Sequence, residues 1–326
     1  MNHIVFFSGG KSSFTVAHLI KERYPNDNIL LYFTDTKWED EDLYRFIHEA
    51  SDKLELPLLK HADGRNPLQL MYEQKVIFNS RIGNCSRHLK MKVADNFIRK
   101  GIEPKEVKWY NKKYLKNDNF RDDPTLYFGI GWDEAHRKDA ILKNWSPFRV
   151  EMPLIDEVID NDEILKKYSI QQPKLYDLGF THNNCKGRCV KAGQAHFKNL
   201  KEKLPETFEQ LKKDEFHMQR YVSNYHTIKR MEELDDDTKQ IYLDELEKCY
   251  KPYFERKIDK PEPFIPPNLE FTTYSFMKKQ KDNEINAYTI RDLDLDIKNS
   301  GHQLDIFDFG GCGCFFDYNE EVNNES

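Results

Sequence analysis

Ile4-Val5-Phe6-Phe7-Ser8-Gly9-Gly10-Lys11-Ser12-Ser13 decides how the rest of this chain is read. Four apolar residues run without alternation into a Ser/Gly/Lys loop, the pattern of a strand buried on both faces of a parallel sheet. The residues after the loop, 12–23, read as a helix that Pro25 stops. At a strand-to-helix junction the first amides of the helix lack helical partners and face the positive end of the helix dipole, which suits an anion. Gly9 and Gly10 let the backbone come close to phosphate oxygens, and Ser8, Lys11, Ser12 and Ser13 add side-chain donors. This loop is therefore expected to be a nucleotide phosphate site.

Gly-Lys-Ser also ends the P-loop of common NTPases, but that motif needs a glycine five positions before its last one. Here the position is Val5, inside the strand, and the P-loop is excluded. Outward from the loop, Ile29 to Phe33 is a second apolar strand, and Leu43, Phe46, Ile47, Ala50 and Leu54 follow helical spacing. A third strand is expected at residues 56–59, a helix at 86–99 and a strand at 126–130. Strands alternating with helices predict an α/β, doubly wound, mainly parallel sheet, with ligands beyond the carboxyl ends of its strands. From about residue 157 the pattern turns helical: 160–167, 173–178, 190–203, 205–213 and 235–248, then a Pro-rich connector at 252–267 and a short helix opening at 289. The expected organisation is a nucleotide-binding domain at 1–156, a helical, Cys-containing region at 157–318 packed on it, and a frayed tail at 319–326.

Four segments carry a family resemblance. The loop resembles the S-G-G-x-D-S signature of the PP-loop superfamily, which includes ATP pyrophosphatases and sulfonucleotide reductases. Phe33-Thr34-Asp35-Thr36 resembles the D-T-G element near the nucleoside. Cys85-Ser86-Arg87-His88-Leu89-Lys90 resembles the C-[ST]-x-x-L-K element of phosphoadenosine-phosphosulfate (PAPS) reductase-like proteins. Gly129-Ile130-Gly131-Trp132-Asp133-Glu134-Ala135-His136-Arg137 resembles their G-I-R-x-D-E-S-x-x-R. The His182-Asn183-Asn184-Cys185-Lys186-Gly187-Arg188-Cys189 segment and the ending Gly310-Gly311-Cys312-Gly313-Cys314-Phe315 resemble a bacterial and phage branch of the same proteins. The implied fold is adenine nucleotide alpha hydrolase-like. The chain departs from the pattern at Ser12, where aspartate is usual, at Gly131, where arginine is usual, and at Ala135, where serine is usual.

The resemblance implies an enzyme that takes ATP, with Mg²⁺, or PAPS. Ser8, Gly9, Gly10, Lys11, Ser12, Ser13, Asp35, Thr36, Arg87, Asp133, Glu134 and Arg137 would bind the nucleotide, and Lys11, Ser12, Cys85 and Lys90 would be catalytic. The leading expectation is cleavage of ATP at the α–β bond to adenylylate an acceptor, in sulfur transfer or a related modification. The alternatives are a PAPS reductase, although the E-C-G-[IL]-H tail of those enzymes is missing, and a non-catalytic nucleotide sensor or nucleic-acid-associated protein. Cys185, Cys189, Cys312 and Cys314 form two close pairs able to complete a sulfur site for Zn²⁺ or an iron–sulfur cluster; whether Cys85 joins them or stays free is open. Expected partners are the adenine nucleotide, an acceptor that is a nucleic acid or a small molecule, a sulfur-donor protein and a second copy of the chain.

Composition narrows the classes further. A net charge of −6 over 326 residues gives no overall nucleic-acid footprint. Charged residues at 33% and aromatics at 13% fit a globular protein with large aromatic core pieces. No apolar run of membrane-spanning length occurs, and Met1 leads directly into the first strand, so neither a span nor a signal peptide is expected. Six cysteines without secretion point to a reducing cytoplasm. Lys108-Trp109-Tyr110-Asn111-Lys112-Lys113-Tyr114-Leu115-Lys116 interleaves cations with aromatics and reads as a solvated loop or hairpin edge.

Overall fold

The computed structural model describes residues 1–79, 82–266, 272–281 and 284–300. In chain order its main elements are β1 (Asn2–Phe6), α1 (Lys11–Arg23), β2 (Asn28–Asp35), α2 (Glu41–Leu54), β3 (Leu58–Ala62), α3 (Pro67–Gln74), α4 (Lys92–Lys100), β4 (Glu106–Tyr110), β5 (Thr125–Phe128), α5 (Lys138–Trp145), β6 (Val150–Glu151), α6 (Pro153–Asp156), α7 (Asn161–Tyr168), α8 (Lys174–Asp177), α9 (Gln194–Lys203), α10 (Pro205–Arg230), α11 (Asp236–Phe254), β7 (Met277–Lys281), β8 (Glu284–Tyr288) and α12 (Ile290–Ser300). The described residues divide into two compact units, one drawn from 1–65 and 85–187, the other from 66–84 and 188–300.

The first unit is built on a six-stranded sheet of order β4-β3-β2-β1-β5-β6. β1 pairs in parallel with β2 on one side (Ile4 opposite Leu30) and with β5 on the other (Ile4 opposite Leu126). Only β4 runs antiparallel, along the β3 edge. The chain winds outward from β1 through β2 and β3, then returns across β1 to β5 and β6, which creates a topological switch point between β1 and β5. Both faces are covered, as a run such as Ile29-Leu30-Leu31-Tyr32-Phe33 demands. Val5, Phe7, Leu31 and Phe33 join Phe14 and Ala17 of α1, Phe46 and Ile47 of α2 and Leu165 of α7 in one core. On the opposite face Phe6 stacks on Phe128 at 4.4 Å between ring centroids and meets Trp145 of α5 at 4.9 Å, while Tyr32 stacks on Phe97 of α4 at 5.9 Å. The doubly wound α/β architecture expected from the sequence is the one observed.

Local details differ from the sequence reading. The helix expected at 86–99 opens with a π-helical turn, Ser86–Met91, before α4. The third strand is shifted to Leu58–Ala62, past Pro57. The basic-aromatic strip at 108–116 is the end of edge strand β4 followed by a 3₁₀ turn, Lys112–Tyr114.

Among its described residues, the regular structure of the second unit is helical apart from the β7–β8 hairpin. α10 continues to Arg230, far beyond the expected stop near 213. Asp214 and Glu215 look like a solvated break in sequence, yet both are buried with partners: Asp214 takes a bidentate pair from Arg256 (2.8 and 2.6 Å) and the Tyr253 hydroxyl (2.7 Å), and Glu215 accepts from the Phe276 amide at 2.8 Å. Paired acids of this kind are tolerated inside a helix that packs on its neighbours.

Candidate functional site

The phosphate-type loop lies at the carboxyl end of β1. The Phe7 amide still bonds the Tyr32 carbonyl at 2.8 Å, and the chain turns only at Ser8 and Gly9. Gly9 has φ +81°, and a β-carbon there would stand 2.9 Å from the Leu43 side chain, so conformation and space both require glycine. Gly10 caps α1 in extended conformation with no side-chain cap. The Ser13 hydroxyl donates to the Gly10 carbonyl at 2.8 Å, and the Ser8 hydroxyl reaches Ser13 Oγ at 3.3 Å. The amides of Gly9, Gly10 and Ser12 meet no protein acceptor among the described residues. The Tyr176 phenol oxygen lies beside the loop, 3.0 Å from where a β-carbon on Gly10 would stand, and burial pushes its hydroxyl up to about 12. Such a row of amides at a helix start is an anion cradle.

Two other segments hold this loop. Gly129, just past β5, lies against the helix start: a β-carbon on it would be 2.7 Å from the Ser13 nitrogen and 2.9 Å from the Ser12 carbonyl carbon. From the far side the buried Asn183 side chain donates to the Gly9 carbonyl at 3.0 Å. Residues 182–187, singled out for their cysteine, thus form part of the loop's own support.

Lys11 is turned toward α7. Its ammonium bonds Asp162 at 2.9 Å and Gln172 at 3.1 Å, and it stands 4.9 Å from the centre of the Tyr176 ring. Asn161 ties the same helix starts together, taking the Thr15 hydroxyl at 2.6 Å and reaching Ser12 Oγ at 3.5 Å.

At the carboxyl end of β2, Asp35 is buried with both oxygens engaged. Oδ1 accepts from the Lys37 amide (2.7 Å) and the Tyr44 hydroxyl (2.8 Å), and Oδ2 pairs with Lys60 at 3.3 Å. The Lys60 ammonium also lies 4.5 Å from the Tyr44 ring centre. Thr36 donates to Glu39 at 2.7 Å; the second Glu39 oxygen takes the Cys185 amide, and Lys90 stands 4.0 Å away. Glu39 and Lys90 are both buried. A buried carboxylate supplied with an amide, a hydroxyl and a nearby ammonium has its hydrogen-bonding capacity met.

Cys85 is half-buried at the start of the π turn that carries Arg87 and Lys90. Burial, and after it the charges of Lys92, Arg87 and Arg65, lowers the neighbouring His88 below its ordinary range, against the pull of Asp63. Asp133, Glu134 and Arg137 share the 3₁₀ turn Trp132–Arg137. Arg137 pairs with Glu134 at 2.5 Å; burial nevertheless raises the Glu134 carboxyl, and Asp133 adds to the rise. Trp132 on the same turn is 70% exposed.

The metal expectation is not shown by the described residues. Cys185 and Cys189 are buried, whereas Cys312 and Cys314 lie outside the described residues. Among the described residues no group of three or more His, Cys, Asp or Glu side chains could hold a metal. Cys185 and Lys186 both adopt the left-handed conformation (φ +55° and +52°), an unfavourable one for residues with a β-carbon. The described residues therefore supply no complete ligand set for zinc or a cluster.

The sequence reading names the loop, Asp35, Thr36, Cys85, Lys90 and the 129–137 turn as candidates; the structure packs Tyr44, Lys60, Glu39, Tyr176 and Asn183 around them, none of which that reading names as a site residue. The only local signal was for Asn183, inside the quoted cysteine segment. Among the described residues, no helix is long and apolar enough to cross a membrane. No curated protein matches the chain. Residues 2–107, from β1 through the Cys85–Lys90 segment to the start of β4, match the family model of the phosphoadenosine phosphosulfate reductase domain. With the loop, the switch point and the order of the motifs, that match places this N-terminal segment in the PAPS reductase-like branch of the PP-loop superfamily, a family of nucleotide-using enzymes.

Proposed function

We propose that the protein binds ATP at Ser8–Ser13 and cleaves it between the α and β phosphates. An acceptor oxygen attacks the α phosphorus, pyrophosphate leaves, and AMP is held on the acceptor. A sulfur or nitrogen nucleophile then displaces AMP. The observation that carries this reading is the cradle itself: three amides without protein acceptors, on a loop where Gly9 cannot carry a β-carbon, at a sheet's switch point.

In this reading the amides of Gly9, Gly10 and Ser12 take phosphate oxygens, with Ser8 and Ser13 fixing the loop's shape. Lys11 leaves Asp162 to offset charge building on the departing pyrophosphate. Asp35, held by Lys60 and Tyr44, and Thr36 face the nucleoside. Arg87, Lys90 and Arg137 supply further phosphate donors, and Asp133 and Glu134 line the far side. Cys85, at the start of the turn that carries Arg87 and Lys90, serves as the sulfur carrier. Magnesium arriving with the nucleotide would neutralise phosphate charge, and the loop offers it hydroxyls rather than a carboxylate. The test is calorimetry with ATP on wild type and Gly10→Val, together with pyrophosphate release. Gly10→Val sets a side chain against the Tyr176 oxygen, 3.0 Å from where its β-carbon would lie, and should abolish binding; unchanged ATP affinity refutes the loop assignment.

The matched family favours a second reading, PAPS reduction. A cysteine thiolate would attack the sulfur of PAPS, releasing adenosine 3′,5′-bisphosphate, and a dithiol such as thioredoxin would then free sulfite while itself becoming a disulfide. Sulfite release from PAPS without pyrophosphate release from ATP would select it.

A further inference from the structure

In the second unit, α10 and α12 line a surface groove of about 390 Å³ formed by Lys212, Lys213, Phe216, Arg291, Asp294, Leu295 and Lys298. Its accessible wall is mostly apolar, although four of those seven side chains are cationic and one is acidic. Phe216 is 39% exposed and Leu295 48%, and the Arg220 guanidinium stands 5.6 Å from the Phe216 ring centre. The charges around the groove do not cancel. Buried Asp294 takes Lys201 (2.8 Å), Lys212 (2.7 Å) and Lys298 (3.1 Å), and Lys212 also meets Glu209 at 2.7 Å. The other acids of α12 are committed elsewhere, Asp292 to Thr289 and Asp296 to Lys279 and Tyr288. Lys213 and Arg291 make no ion pair among the described residues. The surface is thus a ring and an aliphatic side chain set among surplus positive charge.

We infer that this groove binds single-stranded nucleic acid, with one base stacked on Phe216 beside Leu295 and the flanking phosphates on Lys213, Arg291 and Lys298. Base stacking on an exposed aromatic among cations is how strands are held without sequence preference. The apolar surface matches one or two bases. An amphipathic helix would need anchors repeated over two turns, and two side chains do not supply them. The cations sit on two different helices, which suits a chain of phosphates more than a single one. This inference goes beyond the proposed ATP chemistry and does not depend on it.

The test is fluorescence anisotropy with the full chain and labelled DNA and RNA strands of about 12 nucleotides. Binding should weaken from about 50 to 200 mM salt. Phe216→Ala should lower affinity roughly 5- to 150-fold. Lys213→Glu with Arg291→Glu should lower it at least about tenfold and flatten the salt slope by about 1.4, two phosphate contacts' worth. These positions are exposed, so circular dichroism should remain that of wild type. Any of four outcomes overturns the assignment: no strand binding, a Phe216→Ala protein that binds as wild type, full displacement by polyglutamate or by AMP, or loss of binding in Lys112→Glu/Lys113→Glu while the groove variant still binds.

Discussion

Gly129 lies so close to Ser13 that a β-carbon on it would stand 2.7 Å from the Ser13 nitrogen, nearer than van der Waals contact allows. The loop after β5 therefore fixes where the first turn of α1 begins, and the cradle's geometry depends on a residue more than a hundred positions away.

Gly129→Ala must push α1 off its place or bend the β5 loop. Overpacking of this kind costs about 1–3 kcal/mol. We expect a melting temperature lowered by several degrees and ATP affinity reduced at least about tenfold, read by scanning calorimetry and titration calorimetry. A folded variant with wild-type affinity would show that the cradle tolerates displacement.

Lys11 is shared between two jobs. Its bond to Asp162, which is more than half exposed, is a surface pair worth at most about 1 kcal/mol. Asp162→Asn should free the ammonium and tighten ATP binding by about two- to fivefold at low salt, whereas Lys11→Met should weaken it. Titrations of both at about 50 mM salt check this; weaker binding by Asp162→Asn would assign Lys11 to α7 alone.

Glu39 joins three pieces of chain: Thr36, the Cys185 amide and Lys90. Glu39→Gln leaves the Lys90 ammonium buried without its carboxylate. Destabilisation of about 2–4 kcal/mol is expected from urea unfolding. Glu39→Gln/Lys90→Met should recover part of that loss if the two side chains are coupled.

Burial pushes Glu215 up to about 8, against the pull of the Phe276 and Ile290 amides. In the unfolded chain the same carboxyl titrates near its ordinary value of about 4.3. The native state then holds the extra proton, so this group's stabilisation is complete below about pH 4.3 and is lost as pH climbs through 8. Urea unfolding at pH 5 and at pH 8.5 should show wild type losing stability at the higher pH, with Glu215→Gln losing less by roughly 3–5 kcal/mol. Equal pH dependence in the two proteins would contradict it.

Strand β1 and its loop were legible because the signal is local: an unbroken apolar run, two glycines and a helix. The motifs at 33–36, 85–90 and 129–137 were legible for a related reason, since each follows or precedes an element whose period is plain. Tyr44, Lys60, Tyr176 and Glu39 were not, because a polar residue on a helix, loop or neighbouring strand joins a candidate site only when the fold brings its segment beside the others. α10 was truncated at 213 because burial of Asp214 depends on Arg256, which is distant in sequence. α3 is a different case: Asn66-Pro67-Leu68-Gln69 carries a complete capping box, with the Asn66 side chain taking the Gln69 amide at 3.0 Å and Gln69 returning the bond at 2.9 Å, and the pattern was there to be read.

The tyrosine at position 176 forms a wall over the loop. Its phenol oxygen lies 3.0 Å from where a β-carbon on Gly10 would stand, and its ring centre is 4.9 Å from the Lys11 ammonium. Under the proposed reading, a phosphate entering the loop meets an aromatic oxygen at that wall, and discrimination shifts to ligands anionic enough to displace it.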